Sequence, residues 1–176
     1  MHTNKIFKMV LSALFLALAY VLPFLTGQIQ EFGAMLLPMH IPVLLCGFIC
    51  GWQWGLGIGF LSPLLRSLTL GMPPLFPTAI CMAFELATYG ATAGLMHKAL
   101  PQKKPYIYCS LLTSMAVGRI VWGIVMFICL GGGKFGMSAF IAGAVTSALP
   151  GIILQVILIP LLVILLQSIK PIKEKL

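Results

Sequence analysis

Two long tracts of this chain, Phe32–Leu65 and Phe135–Ile169, contain no Asp, Glu, Lys or Arg. A helix needs about 20 apolar residues to cross a bilayer, so each tract has room for more than one crossing. Charged residues make up only 8% of the chain, against about 25% in a soluble domain. The tracts also lack the two-residue alternation of barrel strands. The sequence therefore predicts an all-α integral membrane protein, with residues 1–176 forming a single membrane domain.

Hydropathy and turn signals divide the chain into six predicted membrane-spanning helices. Their approximate limits are Ile6–Phe24, Leu37–Cys50, a third helix that ends near Leu70 after a turn at Gly51–Trp54, Pro77–Met96, Tyr106–Leu130 and Ala142–Gln167. Lysines cluster at both termini and in the loop His97–Lys104, while Lys134 lies alone on the other side. By the positive-inside rule, both termini are predicted to be cytoplasmic. Merging the second and third helices would place these basic segments on opposite sides, which the charge bias opposes.

The net charge of +8 does not indicate a nucleic-acid partner, because the lysines flank predicted membrane segments. The chain has no Asp, no Gly-x-Ser-x-Gly or His-Glu-x-x-His motif, and no nucleotide-binding loop. We therefore expect no enzyme activity and no resident cofactor, and any energy source must come from a partner. Met35, Met39 and His40 would suit a soft metal, but packing at the membrane edge is the expected role, and no metal site is predicted.

Small residues recur every four positions on several predicted helices. Glycines do so at Gly47, Gly51, Gly55 and Gly59, and alanines at Ala83, Ala87 and Ala91. This spacing lets helices approach closely in lipid. The first helix carries the same pattern at Ala13 and Ala17, which either pack internally or form a surface for another protein.

Three charged residues, Arg66, Glu85 and Arg119, lie inside apolar stretches. A charge at the centre of a membrane helix costs about 2.5–3.5 kcal/mol, so such residues face one another, a cavity or a ligand. At about 1.5 Å per residue, Arg66 and Glu85 are predicted at similar depths, with Arg119 deeper, near the midplane. Two interpretations are open: a ligand site, or an Arg66–Glu85 pair that locks two helices while Arg119 caps carbonyls. The net charge of +1 favours a site for a carboxylate.

Polar and aromatic side chains recur on the helix faces that carry these charges. Tyr89 follows Glu85 by one turn, Trp122 follows Arg119, and Gln155 lies on the last helix. A few polar anchors among apolar and aromatic walls are typical of a small-molecule site. The predicted substrate-binding residues are Arg66, Glu85, Tyr89, Arg119, Trp122 and Gln155.

This pattern resembles the substrate-binding S components of energy-coupling factor (ECF) vitamin transporters. The resemblance lies in the six helices, the basic cytoplasmic ends and the Ala13/Ala17 face, and it covers nearly the whole chain. The segment Gly71–Ala79 (GMPPLFPTA), continuing into Met82–Leu86 (MAFEL), is similar to the third-to-fourth helix region of one group of these proteins. That group includes members for folate, pantothenate, pyridoxine-type compounds and hydroxymethylpyrimidine.

The resemblance implies a subunit in a bacterial cell membrane that captures a water-soluble vitamin from outside. The loop Thr26–Met39 would occlude the vitamin, and Leu70–Phe76 would form a second lid. The subunit would dock through Ala13 and Ala17 onto a membrane scaffold subunit that carries two ATPase subunits, and would topple to release the vitamin inside. ATP would be used by these partners only.

Two arginines and one glutamate suit a hydroxyl-rich carboxylate, so pantothenate is the expected substrate. Pyridoxamine, pyridoxine or a pyrimidine precursor would instead pair with Glu85 and stack on Trp122 or Tyr89. The alternative from another class is a structural or assembly subunit whose buried charges only lock helices together.

Overall fold

The computed structural model describes residues 2–26, 35–101, 103–131, 136–143 and 148–168, and the regular structure in these ranges is entirely helical. Its long helices are α1 (His2–Val21), α2 (His40–Cys50), α3 (Trp52–Leu70), α4 (Ile80–Ala99), α5 (Lys104–Leu130) and α6 (Leu149–Ser168). Shorter helical turns cover Leu22–Thr26, Leu75–Ala79 and Met137–Ile141. Each of the six predicted helices therefore corresponds to a helix in the structure.

Four helical stretches are long and apolar enough to cross a membrane: Lys5–Phe24, Leu75–Ala99, Lys104–Leu130 and Leu149–Ser168. The apolar helix α2 is shorter, with 11 residues. Large apolar side chains point outward along the bundle, among them Val10 on α1 and Ile157 on α6. Extended apolar surface of this kind marks contact with lipid or with another protein. The protein is therefore a membrane protein, while the count of six crossings and the cytoplasmic side of the termini stay predictions.

The short helix α2 lies at the centre of the bundle. It packs against α1, α3, α4 and α6, and all of its residues are buried. Its sequence is apolar on every side apart from His40, which is the pattern of a fully enclosed helix. Because His40 is the first residue of this central helix, its side chain is held inside the protein.

Gly51 separates α2 from α3. Its φ of 100° is a backbone conformation that glycine adopts without the steric cost of a side chain. The chain reverses direction at Gly51. As a result, Gly47 and Gly55, four residues to either side, lie against each other. The separation of the two helices is therefore confirmed. The predicted turn over Gly51–Trp54 is too long, since α3 already begins at Trp52.

Small residues let α4 pack directly on α2 and α3. A Cβ atom on Gly47, Gly55 or Gly59 would collide with the backbone of Gly90 or Leu86. The close approach predicted from the four-residue spacing is therefore confirmed for this face. Backbone contacts of this kind fix the rotation of α4 about its axis, and they turn its single acidic residue toward the interior.

The small-residue pair of α1 lies on the outside of the bundle. Ala13 and Ala17 are both exposed, whereas Ser12, Phe15 and Ala19 on the opposite side of the helix are buried. Internal packing of the pair, one of the two interpretations of the sequence, is therefore wrong.

Candidate ligand-binding site

Glu85 and Arg119 meet inside the bundle, on α4 and α5. The Nη1 atom of Arg119 lies 2.9 Å from Oε1 of Glu85, and the two side chains are 12% and 2% exposed. The contact is an ion pair. Its angle does not satisfy hydrogen-bond geometry. Glu85 Oε1 therefore has no hydrogen-bond partner among the described residues. One ion pair, almost enclosed by the protein, thus joins α4 and α5.

Arg66 lies away from this pair. Its Nη1 donates a hydrogen bond of 2.7 Å to the carbonyl oxygen of Tyr20, and its guanidinium lies 4.9 Å from the centre of the Phe24 ring. Tyr20 is in the last turn of α1, where carbonyls without helical partners favour a cation. The alternative interpretation, in which Arg66 pairs with Glu85 and Arg119 caps carbonyls, is therefore wrong in its choice of arginine. Arg119 forms the ion pair, and Arg66 caps carbonyls.

The expected difference in depth between Glu85 and Arg119 stays a prediction, because a long arginine side chain can reach a carboxylate on a neighbouring helix at another level.

His40 joins the ion pair, and sequence reasoning missed it. Its Nε2 lies 3.5 Å from Glu85 Oε1, and the residue is 1% exposed. Its ring meets the ring of Tyr89 edge-on, with 5.2 Å between the centroids. Neither ring nitrogen has a hydrogen-bond partner among the described residues. The sequence did hold a signal, because His40 is the only ionisable side chain other than cysteine in the tract Phe32–Leu65.

The turn before α2 directs His40 inward. Leu37 has a φ of 51°, in the left-handed region, which costs a residue with a side chain about 1–2 kcal/mol. The carbonyl of Leu37 accepts a 3.1 Å hydrogen bond from the backbone N–H of His40. Strained residues of this kind persist where the surrounding structure holds them, and they cluster at binding and active sites.

Tyr89 is buried one turn after Glu85, and its hydroxyl has no hydrogen-bond partner among the described residues. Its ring packs against Gly118 of α5, where a Cβ atom would collide with it. Since Gly118 directly precedes Arg119, this glycine allows the tyrosine ring to lie beside the ion pair. Glu85, Tyr89 and Arg119 therefore lie together, and their role in substrate binding stays a prediction.

The other two predicted residues lie on α5 and α6. Trp122 packs against Phe140, with 6.3 Å between ring centroids, and contacts Gly143. Gln155 is completely buried on α6, and neither its amide nitrogen nor its amide oxygen has a hydrogen-bond partner among the described residues. Gly151, one turn earlier on the same face, touches the backbone of residues 35–36, just before α2. Gln155 is therefore positioned on a helix that packs against α2 and α5, the helices of His40 and Arg119.

The buried polar atoms without a hydrogen-bond partner come from five helices. In the described part of the chain they are His40 Nδ1 and Nε2, Ser62 Oγ, Glu85 Oε1, Tyr89 Oη, Arg119 Nε and Nη2, and Gln155 Nε2 and Oε1. Leaving such an atom unsatisfied costs about 1–3 kcal/mol, and native proteins contain few of them. We call His40, Glu85, Tyr89, Arg119 and Gln155 the polar set. Four of them, His40, Glu85, Tyr89 and Arg119, meet around one ion pair. Polar groups that converge inside apolar walls are typical of a small-molecule site.

The structure bears less directly on the two predicted lids and on metal binding. Residues 27–34 of the loop Thr26–Met39 lie outside the described residues, while Leu70–Phe76 is a mostly exposed connection from α3 toward α4. Within the described ranges, no group of three His, Cys, Asp or Glu side chains is close enough together to hold a metal ion.

An all-helical membrane protein with an apolar exterior and a buried polar set fits a class of proteins that bind a small molecule within the bilayer. Residues 7–163 match the family model described as "ECF transporter, substrate-specific component". The match covers most of the chain, so this protein belongs to the substrate-specific components of ECF transporters. That family consists of transport subunits that bind a substrate and is not a family of enzymes. No curated protein and no solved structure matches the chain.

Proposed function

We propose that this protein is the vitamin-binding subunit of an ATP-driven ECF importer in a bacterial cell membrane, and that the polar set binds the vitamin or its precursor. The observation that carries this proposal is the presence, in a member of this family, of buried donors and acceptors without partners around the Glu85–Arg119 pair. A ligand would supply those partners and recover the cost of burying them.

The proposed topology has six crossings with both termini in the cytoplasm. The basic segments near the N-terminus and around residues 97–104 then share the cytoplasmic side, as the positive-inside rule requires. This arrangement puts the N-terminus of α2, and with it His40, toward the outside of the cell. The polar set would therefore receive its ligand from outside.

The proposed partners are a membrane scaffold subunit and two ATPase subunits, which would use the ATP. The exposed Ala13 and Ala17 of α1 support a docking surface for the scaffold, because small residues let another helix approach closely in lipid.

Pantothenate, the substrate expected from the sequence, stays a prediction that the structure supports less well. The expectation assumed two arginines in the site, and one of them, Arg66, is bonded to α1. The alternative of a structural subunit explains the Glu85–Arg119 pair as a lock between helices. It gives no role to the unpartnered atoms of His40, Tyr89 and Gln155.

A thermal-shift screen of the purified protein against water-soluble vitamins and their precursors tests the proposal. A ligand present at 1,000 times its Kd stabilises a protein by about 4 kcal/mol, which gives a large shift. We expect at least one compound to raise the melting temperature, and expect Gln155→Leu to reduce that shift. A screen in which no compound stabilises the protein would favour the structural subunit.

A further inference from the structure

The charges of the polar set cancel. Glu85 and Arg119 form one ion pair, while the third internal charge, Arg66, is bonded to the carbonyl of Tyr20. The imidazole of His40 adds no charge in its neutral form. The set therefore differs from the site expected from the sequence, in which two arginines left an excess of one positive charge for an anion to neutralise.

Hydrogen-bond donors and an acceptor without hydrogen-bond partners belong to the same ion pair. Arg119 meets Glu85 through Nη1, whereas its Nε and Nη2 have no hydrogen-bond partner among the described residues. These two atoms form one edge of the planar guanidinium and present two N–H groups in parallel. Glu85 Oε1, an acceptor without a hydrogen bond among the described residues, lies 2.9 Å from the third nitrogen of the same guanidinium, Nη1.

A carboxylate on the free edge of Arg119 would place two anions around one guanidinium. The buried set would then carry a net charge of −1, and an uncompensated buried charge is costly. Nearby Glu85 would also repel the ligand, because two carboxylates that share a site disfavour each other's ionised form. An uncharged group avoids both penalties.

We infer that the polar set recognises an uncharged ligand edge on which a hydrogen-bond acceptor and a donor are neighbours, as in an amide or an amino-substituted nitrogen heterocycle. The acceptor takes the N–H groups of Arg119 Nε and Nη2, and the donor faces Glu85 Oε1. The rings of His40 and Tyr89 meet edge-on with 5.2 Å between centroids, and His40 lies 3.5 Å from Glu85 Oε1, so aromatic side chains border this edge. This inference rests on the proposed function and favours pyrimidine-type substrates over pantothenate.

Matched pairs of compounds, one an acid and the other uncharged, separate these ligand classes. The probes are nicotinamide with nicotinate, 4-aminopyrimidine with pyrimidine-4-carboxylate, and pantothenamide with pantothenate, titrated calorimetrically into the full-length protein. In every pair of compounds for which binding is detected, we expect the uncharged compound to bind at least about tenfold more tightly than the acid. Tighter binding by the acids overturns the inference and leaves the proposed function standing. If neither these probes nor any compound of the vitamin screen binds, the proposed function fails as well.

Glu85→Gln should change the affinities for the uncharged probes and for the acids in opposite directions. The substitution removes the negative charge but retains a side chain of the same shape. The uncharged probes should lose about tenfold in affinity, because they lose a charge-assisted hydrogen bond. The acids should gain affinity, because the repelling carboxylate is gone. A parallel loss for acids and uncharged probes contradicts the inference.

Two controls complete this test. Arg66→Gln removes a charge outside the polar set and should leave the ratio of affinities within each pair unchanged. Titration in buffers of different ionisation enthalpy should show no proton uptake with the uncharged probes. Uptake of about one proton with a tightly bound acid would show that a carboxylate binds together with a protonated His40. That result would also overturn the inference.

Discussion

Glu85 is buried and the side chain of Arg119 is only 12% exposed, so removing one charge leaves the other with little solvent to compensate it. We expect Arg119→Gln to lower the free energy of unfolding by about 3–5 kcal/mol, the usual cost of breaking a buried pair from one side. Adding Glu85→Gln should recover much of this loss, because neither position is then charged. Thermal unfolding of the purified single and double variants measures the effect.

Arg66→Gln is the matched control for these single and double variants. It should lower the free energy of unfolding by about 1.5–3 kcal/mol, since it removes a charged hydrogen bond to the carbonyl of Tyr20. Glu85→Gln should not rescue it, because Glu85 and Arg66 do not form an ion pair. Rescue of Arg66→Gln together with failure to rescue Arg119→Gln would restore the alternative interpretation, in which Arg66 pairs with Glu85.

Two glutamines on α6 differ in their hydrogen bonding and form a second matched pair. The amide of Gln155 is buried without a hydrogen-bond partner among the described residues, whereas Gln167 lies 2.9 Å from Nε2 of His97. Gln155→Leu should therefore leave the ligand-free protein as stable or more stable, and should weaken ligand binding about tenfold. Gln167→Leu should lower stability by about 0.5–1.5 kcal/mol and leave binding unchanged.

Calorimetric binding and thermal unfolding of both glutamine variants distinguish these outcomes. Unchanged ligand affinity in Gln155→Leu would remove this residue from the site. A loss of stability in ligand-free Gln155→Leu would mean that its amide has a structural partner.

For individual residues, the sequence predicts which ones are unusual better than it predicts what they contact. Glu85 and Arg119 stand out because a charge is rare inside an apolar helix. Which arginine meets Glu85 depends on helix rotation and on the relative level of helix ends, and neither follows from spacing in the chain. His40 escapes notice because a histidine that begins an apolar run looks like an interfacial residue, whereas α2 is enclosed on all sides.

Helices α3 and α4 are held in register by contacts between their backbones. Gly90→Ala should destabilise the protein by about 1–3 kcal/mol, because its Cβ atom would collide with the carbonyl of Gly55, which cannot move as a side chain could. Gly57→Ala on α3 is the control. Nothing lies within 4 Å of a Cβ atom there, so improved helix propensity should raise stability by up to about 1 kcal/mol.

Thermal unfolding of the two glycine variants checks this difference. Equal stability of Gly90→Ala and Gly57→Ala would show that α3 and α4 can separate without cost. Gly90→Ala should also weaken ligand binding, because the same rotation of α4 turns Glu85 and Tyr89 inward.

The positions of the helices are predictable because apolar length and glycine or proline breaks are local properties. α3 ends at Leu70 and α5 at Leu130, as predicted, each followed by a glycine with positive φ. Boundaries move where tertiary contacts extend a helix past its apolar run. α4 continues beyond the predicted end at Met96, and His97, predicted in a basic loop, is buried against Phe48 and bonded to Gln167.

The whole molecule presents apolar side chains to its surroundings and keeps its polar groups inside. Exposed apolar residues occur along α1, α5 and α6, so hydrophobicity alone does not show which face meets a partner. The size of the exposed side chains does distinguish one face from another. On α1 the small residues Ala13 and Ala17 interrupt an exposed surface that otherwise carries large side chains such as Val10 and Leu14.

Replacing Ala13 or Ala17 with Trp should separate ligand capture from transport. Both side chains are exposed, so the isolated variants should bind ligand with unchanged affinity. A bulky ring on this face would keep a partner helix from approaching, so uptake should be abolished in cells that hold the scaffold and ATPase subunits. Ile157→Trp, at an exposed position of α6, is the control and should retain both binding and uptake. Full uptake by the alanine variants, or an equal loss in Ile157→Trp, would show that the scaffold docks elsewhere.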